Sequence, residues 1–288
     1  MTKKHEKFID LSLGRRRYLE AGNGTPLLML HGMGIKNSAD TFEPIIEGLA
    51  QQFHVYALDM LGWGKGVRTI PEGPTFDLIV DDIREFMDEI GIAKAHVAGH
   101  SAGGWMAAHL AYQSPGRVIK LILMNGAGLN GTPSPGVGAL AKLPTPDELR
   151  EAVRQSFSGA SEAPAALVES QAKAQFEALS QPGAQHSLDA LLHQMLTPAI
   201  RARYMLQRRI GKISVPALVF WGTGDVMDPY PTWTREFEAL QGDMSKSSKP
   251  WVIPGARCVL LPTGHNSHWE IPEHTVDLMT DFLQGRVA

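Results

Sequence analysis

The sequence predicts an α/β protein, a sheet of eight mostly parallel strands flanked by helices, with a helical segment inserted late in the sheet. Three observations carry this reading. Short Val-, Ile- and Leu-rich runs alternate with stretches whose apolar residues recur at helical spacing. Runs such as LLML at 27–30 and VIKLILM at 118–124 are nearly continuous in apolar residues, as parallel strands covered on both faces are. The alternation also stops near residue 128 and resumes near residue 212.

Taken in order, an opening hairpin is expected over 7–13 and 15–21 with Gly14 at its turn, then a buried strand at 27–30 that runs into His31-Gly32. A helix over 41–51 and a strand over 54–59 follow. In 76–90, Leu78, Ile79, Ile83, Phe86, Met87 and Ile90 have helical spacing, and Gly91 closes the helix. HVAG at 96–99 leads directly into Ser101 and an alanine-rich helix, and 118–124 is the next strand. From 128 to 211 the patterning is helical, and Thr145-Pro146-Asp147-Glu148 reads as a capped start, with a hydroxyl N-cap, a proline at the first position and acids in the first turn. The expected division is a core of 1–127 with 212–288 and a helical cap of 128–211. Strands at 216–221 and 256–261, with helices near 232–240 and 273–284, complete the sheet, and the polar stretch 242–249 reads as a surface loop.

Composition narrows the function. The 288 residues carry 27 Lys and Arg against 30 Asp and Glu, a net charge of −3, which gives no basic surface for nucleic acid. At 43% hydrophobic content the chain can build a large core, which excludes disorder as its main state. The single cysteine, Cys258, forms no internal disulfide and no cysteine zinc site, and it favours a reducing compartment. The first twenty residues hold no signal-like apolar run, and no stretch of about 18 apolar residues occurs. A cytoplasmic, unanchored protein is expected, needing no metal or cofactor, with a small-molecule substrate and with a homo-oligomer left open.

Gly99-His100-Ser101-Ala102-Gly103 is a G-x-S-x-G sequence between a predicted strand and a predicted helix. A serine on such a tight turn has strained backbone geometry that presents its hydroxyl above the sheet edge, and the flanking glycines let neighbouring chain pass close by. The bland alternative is an N-cap serine after a glycine turn. A serine hydroxyl needs a base, and the base needs a group that orients it. Of eleven histidines, His265 follows the last predicted strand, at the sheet edge that carries Ser101, and His268 is its rival. The carboxylate should come from the same edge. Asn125-Gly126-Ala127-Gly128 offers none, whereas Gly222-Thr223-Gly224-Asp225 offers Asp225, with Asp228 as the alternative. Backbone amides of Ala102 and of Met33, in the loop His31-Gly32-Met33-Gly34, are placed to form an oxyanion hole worth about 3 kcal/mol per donor.

Together these residues resemble the α/β-hydrolase family over nearly the whole chain: His31-Gly32 after the third strand, Asp59-Met60-Leu61-Gly62-Trp63-Gly64 after the fourth, the serine turn, and Gly264-His265 followed by Trp269-Glu270-Ile271-Pro272. Within it, LILMNGAG, WGTGD and GHNSHWEIPE look most like hydrolases that cleave carbon–carbon bonds in meta-cleavage products of aromatic degradation, and related small-ester hydrolases share much of the pattern. The early loop HGMGIKN lacks their longer glycine and proline run, and Gln171 and Gln175 stand where their substrate-binding arginine would be sought. A serine at position 101 argues against the dehalogenases and epoxide hydrolases of the fold. The resemblance implies a cofactor-free serine hydrolase acting on a small ester or a carbon–carbon bond beside a carbonyl. A non-hydrolytic oxygenase or lyase of the same fold is the alternative.

On the substrate side, His31, Gly32, Trp105 and Trp269 are the expected contacts, though Trp105 could equally fill the space behind Ser101. Leu140, Leu143, Leu167, Leu191, Leu192, Met195 and Leu196 either roof an apolar pocket or pack the cap's own helices. Arg201, Arg203, Arg208 and Arg209 either bind an acidic group or form a solvated face.

Overall fold

The computed structural model describes residues 3–32, 38–67, 70–72, 75–129, 144–157, 163–228 and 253–286. The expected helix at 232–240, the loop at 242–249, Met33, Leu140 and Leu143 lie outside them.

Eight strands form one sheet: β1 (His5–Leu11), β2 (Gly14–Ala21), β3 (Pro26–Leu30), β4 (His54–Leu58), β5 (Ala95–His100), β6 (Val118–Met124), β7 (Ala217–Gly222) and β8 (Arg257–Leu261), in the order β1-β2-β4-β3-β5-β6-β7-β8. β1–β2 and β2–β4 are antiparallel, and every later pairing is parallel. The period of two sorts the side chains. Leu28, Leu30, Val97, Leu121, Leu123, Val219 and Trp221 join one core cluster. Leu27, Met29, Ala98, Ile122, Met124, Leu218 and Phe220 join the other. The first is covered by α2 (Thr75–Glu89) and α3 (Ala102–Gln113), the second by α1 (Glu43–Leu49) and the last helix, α9 (Pro272–Gln284).

Two buried arginines tie the antiparallel edge to this layer system. Arg16 donates twice to Asp82 of α2, at 3.0 and 2.7 Å. Arg17 pairs with Glu6, Asp40 and Asp59, and Asp59 also accepts from the amides of Ala39 (2.7 Å) and Lys65 (2.8 Å). That carboxylate therefore joins the segments that follow β3 and β4. The helix expected over 41–51 is a short 3₁₀ turn, Ala39–Phe42, followed by α1, because Pro44 lacks an amide hydrogen and so favours a helix start.

Between β6 and β7 the described residues hold α4 (Pro146–Ser156), α5 (Ala165–Leu179), α6 (Ala184–Leu196) and α7 (Pro198–Tyr204). The capped start of α4 forms as read: Thr145 Oγ1 accepts from the Glu148 amide at 3.2 Å, and Glu148 Oε2 accepts from the Thr145 amide at 2.7 Å. Leu191, Leu192 and Met195 of α6 belong to the large core cluster beside α2, so packing rather than a pocket roof accounts for them.

Candidate active site

The carboxyl ends of the parallel strands carry the candidate residues. Ser101 is one residue past the His100–Met124 pairing, and its amide donates to the Met124 carbonyl at 3.0 Å, extending the ladder by one step. The next residue begins α3, so the chain turns within Ser101 itself, which has φ 52° and ψ −121°. A non-glycine residue at positive φ carries strain that the surrounding packing must hold. Glycine on either side makes the turn feasible. A Cβ at Gly103 would stand 2.0 Å from the Leu30 carbonyl oxygen, and one at Gly99 would stand 2.3 Å from that of Gly103. Gly32 presses against the serine from the β3 side, where a Cβ would lie 2.7 Å from the Ser101 Cβ.

His265 Nδ1 lies 2.7 Å from Asp225 Oδ2, and both side chains are buried. Asp225 Oδ2 also accepts from Asn125 Nδ2 at 2.7 Å, and Oδ1 accepts from the Met227 and Asp228 amides, each at 2.9 Å. Burial alone would raise the Asp225 carboxyl, but the His265 imidazole and these donors hold it below the ordinary value. Burial alone would lower His265, and the carboxylates of Asp225, Asp228 and Glu270 hold it above 6.5. The carboxylate fixes the proton on Nδ1, which leaves the Nε2 lone pair to accept one. His268, the rival base, packs 4.6 Å from the His100 ring with its Nε2 3.4 Å from Thr41 Oγ1, and burial lowers it to about 3.

The backbone around His265 is held on every side. His100, fully buried, brings Nε2 within 2.9 Å of the His265 carbonyl, to which it donates. The His265 amide donates to the Ser156 carbonyl at 2.9 Å, at the end of α4, and Asn266 Nδ2 donates to the same oxygen at 3.2 Å. Glu270, which ends the one-turn helix α8 (Ser267–Glu270), accepts from the Gly264 amide at 2.8 Å. Burial raises the Glu270 carboxyl to about 7, against the lowering pull of the Gly264 and Asn266 amides. Sequence reading missed these supports. Asn125 was passed over because the position holds no acid, yet it occupies the strand end beside Asp225 with φ 45°.

On the opposite side, His31 is fully buried, its Nε2 accepts from the Met60 amide at 3.1 Å, and Nδ1 donates to the Gly32 carbonyl at 2.7 Å. Both ring nitrogens thus hold the loop. Trp105 takes the second of its two expected places. It is 1% exposed, donates to the Tyr204 carbonyl at 2.9 Å and packs 4.6 Å from Phe76, filling the space behind the serine turn. Trp269 is half-buried, donates to the Thr41 carbonyl at 2.8 Å and packs with Val153, Phe157 and Val168 of the insert. Ala102 opens α3, where a helix leaves its first amides without intrahelical partners. Of the arginines, Arg203 and Arg208 are exposed, whereas Arg201 is buried, bonded to the Met195 carbonyl at 3.3 Å and 5.9 Å from the Trp105 ring. Among the described residues, no group of three His, Cys, Asp or Glu could hold a metal ion.

A serine on a strained turn and a buried imidazole bonded to a buried carboxylate, all at one sheet edge, are parts that nucleophilic acyl chemistry requires. Known proteins similar to this chain include hydrolases. The chain is 28% identical to 2-hydroxy-6-oxononadienedioate/2-hydroxy-6-oxononatrienedioate hydrolase 1 of Dechloromonas aromatica, over 96% of this chain and 91% of that one. A meta-cleavage product hydrolase from Pseudomonas fluorescens superimposes with a TM-score of 0.79 at 25% identity, covering 98% of each chain. The 2-hydroxy-6-oxo-6-phenylhexa-2,4-dienoate hydrolase of a Rhodococcus species superimposes with a TM-score of 0.80 at 23% identity, over 99% of this chain and all of the other. The family model for the alpha/beta hydrolase fold matches residues 25–272, a span that takes in the serine, aspartate and histidine loops alike, and the chain belongs to that family.

Proposed function

We propose that the protein is a cofactor-independent serine hydrolase whose substrate is a small ester or a carbon–carbon bond beside a carbonyl, with Ser101 as nucleophile, His265 as base and Asp225 as its orienting carboxylate. The observation that carries this reading is the 2.7 Å His265–Asp225 contact beside the serine's positive-φ turn. His265 Nε2 takes the Ser101 hydroxyl proton as the oxygen attacks the carbonyl, and the buried carboxylate stabilises the imidazolium that forms. Amides of Ala102 and Met33 receive the oxyanion. The imidazolium then protonates the leaving group, and water attacks the acyl-enzyme with His265 again as base. For a carbon–carbon substrate, a dienol must first ketonise so that the departing carbon leaves with its charge delocalised.

Residues 128–211 act in this reading as a cap over a core of 1–127 and 212–288, and the bond from the His265 amide to the Ser156 carbonyl supports that arrangement. The enzyme works in the cytoplasm on a small molecule, independently of nucleic acid. Parallel assays with short p-nitrophenyl esters and with a ring-cleavage dienol test the proposal. Turnover of either class, lost in Ser101→Ala, is expected. Undiminished turnover in Ser101→Ala would instead favour an oxygenase- or lyase-type reaction that bypasses the serine.

A further inference from the structure

Helix α5 of the insert buries a polar stripe. Its buried residues are Val168, Gln171, Ala172 and Gln175, while Glu169, Lys173 and Glu177 are exposed. Positions at this spacing on a buried helix face ordinarily hold aliphatic side chains, yet two amides sit there four residues apart. Gln171 is 1% exposed, and its Oε1 has no hydrogen-bond partner. A buried amide oxygen in that state costs stability, so packing gives no reason for it.

The position of α5 supplies a reason. At one flank Val168 packs with Phe157 and Trp269, four residues beyond His265. At the other, Ala174 and Ala178 line a cleft of 490 Å³ with Ser38 and Gly64, from the segments that follow β3 and β4. The helix therefore runs over the sheet edge between the histidine loop and the segment that leaves β3 at Gly32, with the glutamine stripe between the two flanks. No charged side chain shares that buried face.

We propose that Gln171, with Gln175 one turn along, is the specificity element of this site and selects a substrate bearing an uncharged hydrogen-bonding group, such as a hydroxyl or carboxamide, over one bearing a carboxylate. The inference rests on the serine-hydrolase reading. A neutral group can pair with an amide, whereas a carboxylate moved onto this buried helix face, which itself carries no cation, loses its hydration without compensation. Among the described residues of the insert the buried cation is Arg201, on α7, 5.9 Å from the Trp105 ring rather than on α5.

The test uses three p-nitrophenyl esters of matched acyl length that end in carboxamide, carboxylate or methyl. The wild-type enzyme should favour the carboxamide over the carboxylate by about 10-fold or more in kcat/KM. In Gln171→Leu, and in Gln171→Met as a closer match in shape, the ratio of carboxamide to methyl ester should collapse by a similar factor, mainly through KM. A wild-type preference for the carboxylate, or an equal loss on all three esters in both variants, would overturn the proposal and leave the hydrolase reading intact. Failure to hydrolyse any of the three, with no fluorophosphonate labelling of Ser101, would overturn the hydrolase reading and this inference with it.

Discussion

The sheet edge and the helical insert treat buried polar groups differently. At the edge, the buried charged groups answer one another, although Asn125 Oδ1, Asn266 Oδ1 and Glu270 Oε2 have no partner there. Arg16 is matched by Asp82, Arg17 by Asp59, and Asp225 by His265, Asn125 and two backbone amides. On the insert's α5, Gln171 is just as buried and its carbonyl oxygen is unmatched. Matched charges hold geometry, as attack at a fixed carbonyl requires, and, as proposed above, substrate completes the unmatched Gln171. Reaction and selection are thereby assigned to different parts of the chain.

The comparison is sharpened first by removing the reacting groups. Ser101→Ala or His265→Ala should lower turnover by at least about 10³-fold while the thermal unfolding midpoint stays in place; unfolding of both variants would make these residues structural. Next in size is Asp82→Ala, which leaves the Arg16 charge buried without its partner and should destabilise the fold by about 3–5 kcal/mol in a denaturant titration. A loss below about 1 kcal/mol would mean that Arg16 is solvated after all. Asn125→Ala withdraws a donor from Asp225, so turnover should fall about 10-fold with KM little changed, and an effect confined to stability would rule out a positioning role. Gln171→Leu should leave stability within about 1 kcal/mol of wild type or raise it. A large destabilisation there would erase the contrast between the two regions.

The smallest expected effect is on pH dependence. Since His265 must be neutral to accept a proton, and nearby carboxylates hold it above 6.5, activity should fall as pH drops through that raised value. Glu270 is one of those carboxylates, and burial pushes it up to about 7. Glu270→Gln removes its negative charge, so the acid limb of kcat/KM should move to lower pH. A limb that stays in place or moves up would show that Glu270 anchors the Gly264 amide without acting on the imidazole electrostatically.

Much of the fold was legible along the chain because it depends on local periodicity. The strand at 118–124 and the capped start at Thr145 could be read from a few adjacent residues, and so could the serine turn. The supports of the site were not, since they join segments far apart in sequence: His100 reaches the His265 carbonyl across 165 positions, and Asn125 reaches Asp225 across 100. Such bonds leave no periodic trace. The bonding partners of His31 and Trp105 were not legible for a related reason. Nearness to a motif identifies a residue as part of the site's surroundings, whereas the partners of its polar atoms, here Met60, Gly32 and Tyr204, exist only after folding.

Whether Ser101 becomes a nucleophile through His265 can be read most directly from the intact mass of the protein after reaction with a fluorophosphonate. The account predicts one adduct per wild-type chain, located on Ser101, none on Ser101→Ala, and labelling at least about 10²-fold slower in His265→Ala. Labelling of His265→Ala at the wild-type rate, or an adduct that persists in Ser101→Ala, would contradict it.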